Sequence, residues 1–367
     1  IYHHAVYPVL LRMLARRKMA VVPEATVVAT GYSPTVTLIV PAHNESNVIA
    51  RKIENLMALD YPPEKLNVII SCDGCTDDTA SIARQLIGNR KGWEVRERQR
   101  NIGKIAVLNE EIASANTGII ALSDASALLD PDVLKIAAQH FADPGVGVVC
   151  GTYALGPQAA APDRDYWRYQ TAIKLAEAAL AAPIGAHGAF YLFRKCPWKA
   201  LAPDTINDDV ILPMSIVMKG FRCVYDTRIV ARELETSNAR ADFRRRVRIG
   251  AGNLQQAIRL APLANPARGW LAFSFISGKF LRALMPFILA ALLLLITTLA
   301  ASGYLIYQAA LILVGLMVIA AILVPAPNRA MLFLAGYAAS GIGALLLLPG
   351  RGSTVWQLSS VFNRSMR

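Results

Sequence analysis

The stretch Leu66-Asn67-Val68-Ile69-Ile70-Ser71-Cys72-Asp73-Gly74 decides the fold class, because an apolar strand runs directly into a carboxylate and a glycine turn. A second stretch, Gly118-Ile119-Ile120-Ala121-Leu122-Ser123-Asp124, repeats the pattern further along the chain. Strands that are buried on both faces read as continuous apolar runs. Polar residues at the carboxyl ends of such strands line the ligand site of an open α/β sheet. The two stretches therefore predict a nucleotide or metal site in the first half of the chain.

Strands and helices alternate around these two stretches. A strand is predicted at Thr35–Val40 and a helix at Asn47–Leu59. A second helix is predicted to begin at Asp77-Asp78-Thr79, and a third to cover Ile105–Ala115. This rhythm predicts an α/β fold in which a mostly parallel, Rossmann-like sheet carries helices on both faces.

The last third of the chain has the composition of a membrane domain. Between Ala283 and Leu348 the sequence is nearly free of charge. We predict three transmembrane helices, each close to the ~20 residues that a bilayer requires. They lie at Ala283–Ala300, Tyr304–Val324 and Met331–Leu348. The alternative is a buried helical core, which would need a much larger soluble partner surface.

The net charge of +12 is concentrated in two segments, Leu10–Lys18 and Arg240–Arg248. Basic residues beside apolar spans indicate the cytoplasmic side of a membrane. Nucleic acid is the competing partner, but no aromatic interleaving or known binding motif supports it. The apolar start, Ile1–Leu11, is either the tail of a further span or an amphipathic helix on the membrane. Cys72 and Cys75 form a C-x-x-C without a second metal-binding pair, which disfavours a redox or zinc site.

Three polar residues stand at element ends, and each has a functional and a purely structural interpretation. Asp73 either accepts hydrogen bonds from a nucleobase or ribose, or caps its own turn. Lys104 either meets a diphosphate at a helix start or is a solvated surface lysine. Asp124 either holds Mg²⁺ or Mn²⁺, which prefer oxygen ligands, or caps the end of its strand. His43 is expected to line the pocket rather than to bind metal.

Charged residues in the second half of the domain also have two interpretations. In the pair Asp208 and Asp209, one carboxylate is a candidate general base for an acceptor hydroxyl, and the alternative is helix N-capping. The arginines of Arg244–Arg248 would either neutralise a diphosphate leaving group or bind anionic lipid.

The order of these motifs resembles that of membrane-bound family-2 glycosyltransferases with a GT-A catalytic domain, over roughly Thr35–Gln256. Val40–Glu45 resembles the P-x-x-N-E strand end, and Asp73–Asp77 resembles D-G-S-x-D with Cys75 in place of Ser. Asn101–Lys104 is similar to N-x-G-K, and Ser123–Ser126 stands where D-x-D occurs. The remaining matches are the Gly-rich acceptor loop at Gly185–Ala189, T-E-D at Asn207–Asp209, and Q-x-x-R-W at Arg245–Ile249.

This resemblance implies a role for each matching residue. Asp209 would be the base, with Asp208 beside it and Arg248 as the catalytic arginine. The acceptor side would include Gly185, His187 and Gly188, and Asp124 would be the protein carboxylate on Mg²⁺ or Mn²⁺. The nucleotide-sugar would contact Pro41, Ala42, His43, Asn44, Glu45, Asp73, Lys104, Asp124 and Arg245.

Three departures from the family pattern bear on function. Ser126 replaces the second carboxylate of D-x-D, so diphosphate oxygens and water would complete the metal shell. Asn207-Asp208 replaces Thr-Glu, which leaves open which carboxylate acts. Ile249 replaces a Trp that helps processive synthases hold the acceptor, which argues against processive synthesis.

The resemblance also implies an organisation and a function. Residues 1–30 would lie near the membrane, 31–256 form the GT-A domain, 257–282 an interfacial segment, 283–350 the spans and 351–367 a basic tail. The expected function is inverting transfer from a nucleotide-sugar, UDP-linked, to a lipid-linked or glycan acceptor. The site would face the cytoplasm in a multi-pass protein of the cell inner membrane, with other membrane proteins as assembly partners. The alternatives are transfer to a polyprenyl phosphate and a non-catalytic nucleotide-binding subunit.

Overall fold

The computed structural model describes residues 2, 6–19, 31–156, 159, 161–233, 239–323 and 329–347. The chain divides into two units, Ile1–Thr236 with Pro262–Phe275, and Ser237–Ala261 with Ile276–Arg367. The strands in chain order are β1 (Val36–Ala42), β2 (Leu66–Asp73), β3 (Trp93–Arg98), β4 (Ile119–Ser123), β5 (Ala127–Leu129), β6 (Val146–Leu155), β7 (Phe190–Arg194) and β8 (Arg222–Glu233).

Helices connect and flank these strands. The helices of the first unit are α1 (Tyr7–Met19), α2 (Ile49–Met57), α3 (Thr79–Ile87), α4 (Lys104–Ser114), α5 (Val133–His140), α6 (Ala161–Leu180), α7 (Asp208–Val217) and α9 (Trp270–Phe275). Those of the second unit are α8 (Ala239–Arg259), α10 (Leu281–Ala301), α11 (Leu305–Leu323) and α12 (Arg329–Leu346).

The first unit is built on one sheet with the strand order β3-β2-β1-β4-β7-β6-β8-β5. The half from β3 to β4 is parallel, and Val36 of β1 pairs with Leu66 on one side and Ile119 on the other. In the other half, β7 runs antiparallel to both β4 and β6, whereas β6 and β8 are parallel. The predicted α/β fold is confirmed, and the sheet is mixed rather than mostly parallel in its second half.

The parallel half owes its stability to strands that are apolar on both faces. Leu38, Val68 and Ile70 are completely buried, as are Ile53 and Leu56 of helix α2. Fully burying one such aliphatic side chain contributes about 1.5–3 kcal/mol. The core thus fixes the carboxyl ends of β1, β2 and β4 at one edge of the sheet.

In the second unit, two glycines allow a close helix contact. A Cβ atom on Gly250 of α8 would lie 2.5 Å from the Cα of Ser340 in α12. A Cβ atom on Gly343 would lie 2.1 Å from the carbonyl oxygen of Val247. The basic segment Arg240–Arg248 is part of α8, which packs closely against α12 within the second unit.

One helix of the described residues is long and apolar enough to cross a membrane. It runs over Trp270–Ala301, 32 residues including the π-helical turn Ile276–Phe280, with a mean hydropathy of 2.5 in its most apolar window. Shorter apolar helical stretches follow at Leu305–Leu316 and Ala335–Leu346. Within the segment 257–282, which was predicted to be interfacial, the residues from Trp270 onward form the beginning of the long helix. The predicted number of three spans stays a prediction, and the basic tail lies outside the described residues.

Candidate active site

The loops after β1 and β2 are joined by hydrogen bonds. Asn44 has a left-handed backbone, with φ of 58°, and its Oδ1 accepts a 2.8 Å hydrogen bond from the Thr76 amide. The Nδ1 atom of His43 lies 2.7 Å from the carbonyl oxygen of Asp73. Left-handed backbone is uncommon outside glycine, and Asn is among the residues that tolerate it best. The segment predicted to bind the nucleotide is thus tied to the loop at the carboxyl end of the neighbouring strand β2.

Asp77 reinforces this junction from the start of helix α3. Its carboxylate accepts hydrogen bonds from the amides of Thr79 and Ser46, both at 3.1 Å, and from the Thr79 hydroxyl at 2.5 Å. The Glu45 amide donates to the same hydroxyl at 2.8 Å. Although burial opposes it, these hydrogen bonds lower the pKa of Asp77 to about 2. The last Asp of the D-G-C-x-D element is therefore an ionised tie between the two loops.

Asp73 anchors the loop that begins helix α4. Its Oδ1 and Oδ2 accept hydrogen bonds of 2.8 Å from the Ile102 and Gly103 amides, and the residue is 4% exposed. Gly74 has φ of 59°, and a Cβ atom there would lie 2.2 Å from the Asn101 nitrogen, so the approach requires glycine. Asp73 thus occupies the Ile102 and Gly103 amides, which directly precede Lys104 at the start of helix α4. Its direct bond to a nucleobase stays a prediction.

Lys104 lies among the acidic residues predicted to be functional. Its Nζ is 3.0 Å from Asp124 Oδ1 and 3.8 Å from Asp208 Oδ1. Burial opposes the charge of Lys104, but Asp124 and Asp208 raise the pKa of the ammonium above its usual value. The lysine is therefore a cation at the carboxyl end of β4, rather than a solvated surface residue.

Asp124 and Asp209 face the same space beside Gly188. A Cβ atom on Gly188 would lie 3.6 Å from Asp209 Oδ2 and 3.7 Å from Asp124 Oδ2. Backbone hydrogen bonds fix both residues to the Gly-rich loop, from the Asp124 amide to the Ala189 carbonyl and from the Ala186 amide to the Asp209 carbonyl. The two carboxylates and the Lys104 ammonium, which lie far apart in the sequence, are therefore close together in the fold.

Helix capping does not account for Asp208 and Asp209. Helix α7 begins at Asp208, and its N-cap residue, Asn207, makes no side-chain capping hydrogen bond. Asp208 is buried at 7% exposure, whereas capping carboxylates at a helix start are usually solvated. The position of the pair beside Lys104 favours the functional interpretation.

Two charged residues missed by the sequence analysis hold the Gly-rich loop from helix α6. The Nζ atom of Lys174 donates a 2.6 Å hydrogen bond to the Gly185 carbonyl, and Glu177 Oε2 accepts one of 2.9 Å from the Ile184 amide. Both residues are buried, at 7% and 3% exposure. The available signal was a pair of opposite charges three residues apart in an otherwise apolar helical segment, which is normally read as a solvated pair.

Lys52 is the second feature that the sequence analysis missed. It is completely buried, and its Nζ donates to the Ser123 hydroxyl at 2.7 Å and to the Ala127 carbonyl at 2.5 Å. These acceptors flank the Asp124-Ala125-Ser126 loop on both sides. Burial lowers the pKa of Lys52 to about 7. The lysine therefore holds the loop that presents Asp124.

Two aromatic residues also border the site. Tyr191 is completely buried on β7, and its hydroxyl has no hydrogen-bond partner within the described part of the chain. Burial and the charges of Asp208, Asp209 and Asp124 raise the pKa of this phenol well above its ordinary value. The His187 ring packs edge-on against Trp167, with 5.5 Å between centroids. His187 thus belongs to an aromatic cluster behind Gly188.

The remaining predicted residues divide into two groups. Pro41 and Ala42 end β1, and Cys75 Sγ contacts the Ala42 carbonyl at 3.6 Å. Arg245 and Arg248 lie on α8 in the second unit, and their contact with a diphosphate stays a prediction. The five cysteines are free, and burial raises the pKa of Cys72 to about 12, which opposes a redox or zinc role.

The donor set fits a hard divalent cation in part. Asp124 and Asp209 offer carboxylate oxygens to one space, as Mg²⁺ and Mn²⁺ require. Among the residues that the structure describes, no cluster of three or more His, Cys, Asp or Glu side chains is arranged to hold a metal. Asp124 would therefore bind such an ion together with oxygens of a substrate, which leaves the Asp209 carboxylate available for another role.

Two relatives are similar to this chain over part of its length. The chain is 26% identical over 235 residues to a poly-beta-1,6-N-acetyl-D-glucosamine synthase of Staphylococcus aureus, covering 61% of this chain and 56% of that protein. It is 33% identical over 157 residues to a beta-monoglucosyldiacylglycerol synthase of Synechocystis, covering 41% and 33%. The chain therefore matches about half, or less, of the length of these relatives.

A solved structure with the same fold covers nearly the whole chain. It is a mannosyltransferase from Pyrobaculum calidifontis in complex with GDP-Man and Mn²⁺, with a TM-score of 0.74 and 24% identity, covering 94% of this chain and 96% of that one. The family described as glycosyltransferase like family 2 matches residues 34–252, more than half of the 367 residues. The chain thus belongs to glycosyltransferase family 2 and has a GT-A-like fold, as the motif order in the sequence had indicated.

Proposed function

We propose that the chain is an inverting glycosyltransferase that moves a sugar from a UDP-linked donor to a lipid-linked or glycan acceptor. The observation that carries the proposal is the approach of Asp124 and Asp209 to one space beside Gly188, with Lys104 3.0 Å from Asp124. Family membership and relatives named as polysaccharide and glycolipid synthases support it.

The donor would lie along the carboxyl ends of β1, β2 and β4. The His43–Glu45 segment and the Asp73-anchored loop would hold the nucleotide and orient its diphosphate. Lys104 would place a positive charge beside the diphosphate oxygens, because its pKa keeps it protonated. Arg245 and Arg248 would add to this charge. When bound by Asp124 together with diphosphate oxygens, Mg²⁺ or Mn²⁺ would supply electrostatic stabilisation of the leaving diphosphate.

Asp209 would accept the proton of the acceptor hydroxyl. The hydroxyl oxygen then attacks the anomeric carbon as the bond from that carbon to the diphosphate breaks, which inverts the configuration. Lys174 and Glu177 would keep the Gly185–Gly188 loop on the acceptor side, so the hydroxyl is held in line. Residues 270–301 and the apolar helices after them would place the reaction at the cytoplasmic face of the inner membrane.

The first test removes the proposed base. Asp209→Asn keeps the shape of the side chain but removes its ability to take a proton, so turnover should fall about 10²- to 10⁴-fold while donor binding persists. Asp60→Asn is the control, because Asp60 forms a surface pair with Lys135 and is 64% exposed. Normal turnover of Asp209→Asn would refute the base assignment. That result would favour the alternative in which the acceptor is a polyprenyl phosphate, because this group is already ionised and needs no base.

The donor is tested with a panel of UDP- and GDP-sugars. Purified full-length protein with Mn²⁺ and membrane lipid extract should release UDP from one sugar in the panel, measured as free nucleotide. Release of GDP alone would reject the UDP assignment and retain the transferase. Absence of release with every donor would instead favour the non-catalytic alternative.

A further inference from the structure

Helix α1 is amphipathic, and one of its faces is packed against the first unit. Tyr7, Leu11 and Ala15 are buried at 2%, 0% and 3% exposure, and they pack against Ala176 and Leu180 of α6. The Tyr7 hydroxyl lies 3.1 Å from Glu177 Oε1 in a buried hydrogen bond. The helix is therefore an integral part of the unit, with a defined orientation.

The opposite face of α1 is apolar and exposed. Val9 and Met13 are 58% and 53% exposed, and Val6, which precedes the helix, is 46% exposed. At 100° per residue these side chains project together, away from Tyr7 and Leu11. A helix with one buried and one exposed apolar face needs a second partner for the exposed one.

Basic residues flank this exposed face. Arg16 and Arg17 are exposed, and Arg12 lies over the Tyr169 ring at 5.6 Å. The segment Tyr7–Met19 contains no acidic residue. Long basic side chains beside a narrow apolar stripe are typical of helices that lie in the headgroup region of an anionic membrane.

The apolar helix Trp270–Ala301 begins next to α1. Its first segment, α9, belongs to the same unit, and the Phe273 ring lies 5.8 Å from the Tyr7 ring. Trp270 stacks edge-on with Phe273 at 5.7 Å and is 42% exposed, as expected for an aromatic residue at a membrane interface. The most apolar window of the long helix is only 11% buried. A helix fit to enter a bilayer thus starts in the same unit as α1, against its buried face.

We propose that the outward face of α1, formed by Val6, Val9 and Met13 with Arg16 and Arg17, docks on an anionic phospholipid surface. The apolar side chains would enter the boundary of the acyl chains, and the arginines would reach lipid phosphates. A soluble protein partner is less compatible with this face, because α9 leads directly into an apolar helix.

This docking has a consequence for the site, which rests on the proposed function. Glu177 binds Tyr7 with one carboxylate oxygen and the Ile184 amide with the other. The lipid surface would therefore lie on the side of the unit where the Gly185–Gly188 loop is attached. That position suits an acceptor whose sugar or phosphate head is carried by a membrane lipid.

The test measures the depth of α1 directly and does not depend on turnover. The full-length chain carries Cys75→Ser and Cys196→Ser, which leaves three buried cysteines, and Met13→Cys is labelled with a polarity-sensitive fluorophore. The control is Gln85→Cys on the exposed surface of α3. The protein is reconstituted in phosphatidylcholine vesicles with or without phosphatidylglycerol, and quenchers are supplied either on the acyl chains or in water.

With phosphatidylglycerol, the label at position 13 should shift to the blue and be quenched from the acyl chains, whereas the label at position 85 should respond only to the aqueous quencher. Arg16→Gln with Arg17→Gln should reduce the ratio of docked to undocked helix roughly 30-fold. Equal aqueous quenching at both positions in both vesicles would overturn the proposal. Protection of position 13 from both quenchers would overturn it as well, since a protein would then cover the face.

Discussion

At the scale of single residues, the site depends on a small space between two carboxylates. Gly188 borders this space, and its backbone is outside the left-handed region. Gly188→Ala should therefore fold normally but place a methyl group against Asp124 and Asp209. The methyl group would be in ordinary van der Waals contact with both carboxylates, so it need not move them, but it would fill space that a bound substrate would use. Because displacing a bound substrate by about 1 Å lowers rates roughly 100-fold, we expect a loss of that size in turnover with an unchanged thermal midpoint.

The matched control is Gly185→Ala in the same loop. Gly185 has φ of 85°, and a Cβ atom there would lie 2.8 Å from Val210 Cγ2. This substitution should lower the thermal midpoint, since a non-glycine residue in that backbone region costs about 1–3 kcal/mol. If Gly188→Ala instead lowered the midpoint as much as Gly185→Ala, the space beside Gly188 would be structural rather than functional.

The burial of Lys52 predicts that the stability of the folded protein depends on pH. Burial lowers the pKa of Lys52 to about 7, whereas an unfolded lysine titrates near ~10.4. Between these values the unfolded state binds more protons, so this residue's contribution to stability is present at high pH and is lost as pH falls through about 7. From pH ~7 to ~9, wild type should gain stability relative to Lys52→Met, by at most ~1.4 kcal/mol per pH unit. Thermal unfolding in detergent measures this, and a constant difference between the two proteins would show that Lys52 stays charged.

The same residues show how far the sequence could predict the site. Asp124, Asp209 and Lys104 were found because motif order and strand ends indicate them. Lys52, Lys174 and Glu177 were missed because a charged residue on a helix is usually solvated, and the sequence of one helix does not reveal which neighbour buries it. Tyr191 was missed because an aromatic residue in an apolar strand is typical of a core.

At the scale of elements, the strands that were predicted correctly are those with long apolar runs. Strands β1, β2 and β4 and helices α2 and α4 were predicted within a few residues of their observed bounds. Strand β3 (Trp93–Arg98) was missed because it lies at the sheet edge and alternates charged residues. Strand β7 was missed because its five residues follow a glycine-rich loop, and its antiparallel pairing with β4 and β6 is a long-range feature.

Helix α6 provides a prediction at this scale. Glu177→Leu removes both acceptor oxygens, so the Tyr7 hydroxyl and the Ile184 amide lose their buried partner, and a lost buried hydrogen bond costs about 1–3 kcal/mol. Tyr7→Phe is the matched control, because it removes the hydroxyl on α1 but leaves Glu177 bound to the Ile184 amide. We expect both variants to lose stability, but only Glu177→Leu to raise the KM for the acceptor without changing the KM for the donor. An equal change of acceptor KM in both variants would mean that the packing of α1, not the Ile184 bond, controls the loop.

At the scale of the whole molecule, charge and hydrophobicity are segregated along the chain. Two interactions would hold the chain at a membrane. One is the burial of the apolar helix Trp270–Ala301 and of the apolar segments after it, and the other is the attraction of basic residues in α1 and α8 to anionic lipid. They respond differently to the solvent, since salt screens exposed charges within about 10 Å but leaves the burial of apolar surface intact. We therefore expect membranes containing the chain to retain it after washes in about 1 M salt, where the screening length falls to roughly 3 Å, and after washes in alkaline carbonate. Detergent alone should release it, as measured by immunoblotting of pellet and supernatant.

Release by salt would show that charge holds the chain at the surface and that Trp270–Ala301 does not span the bilayer, whereas release by carbonate but not by salt would place this helix in a protein interface.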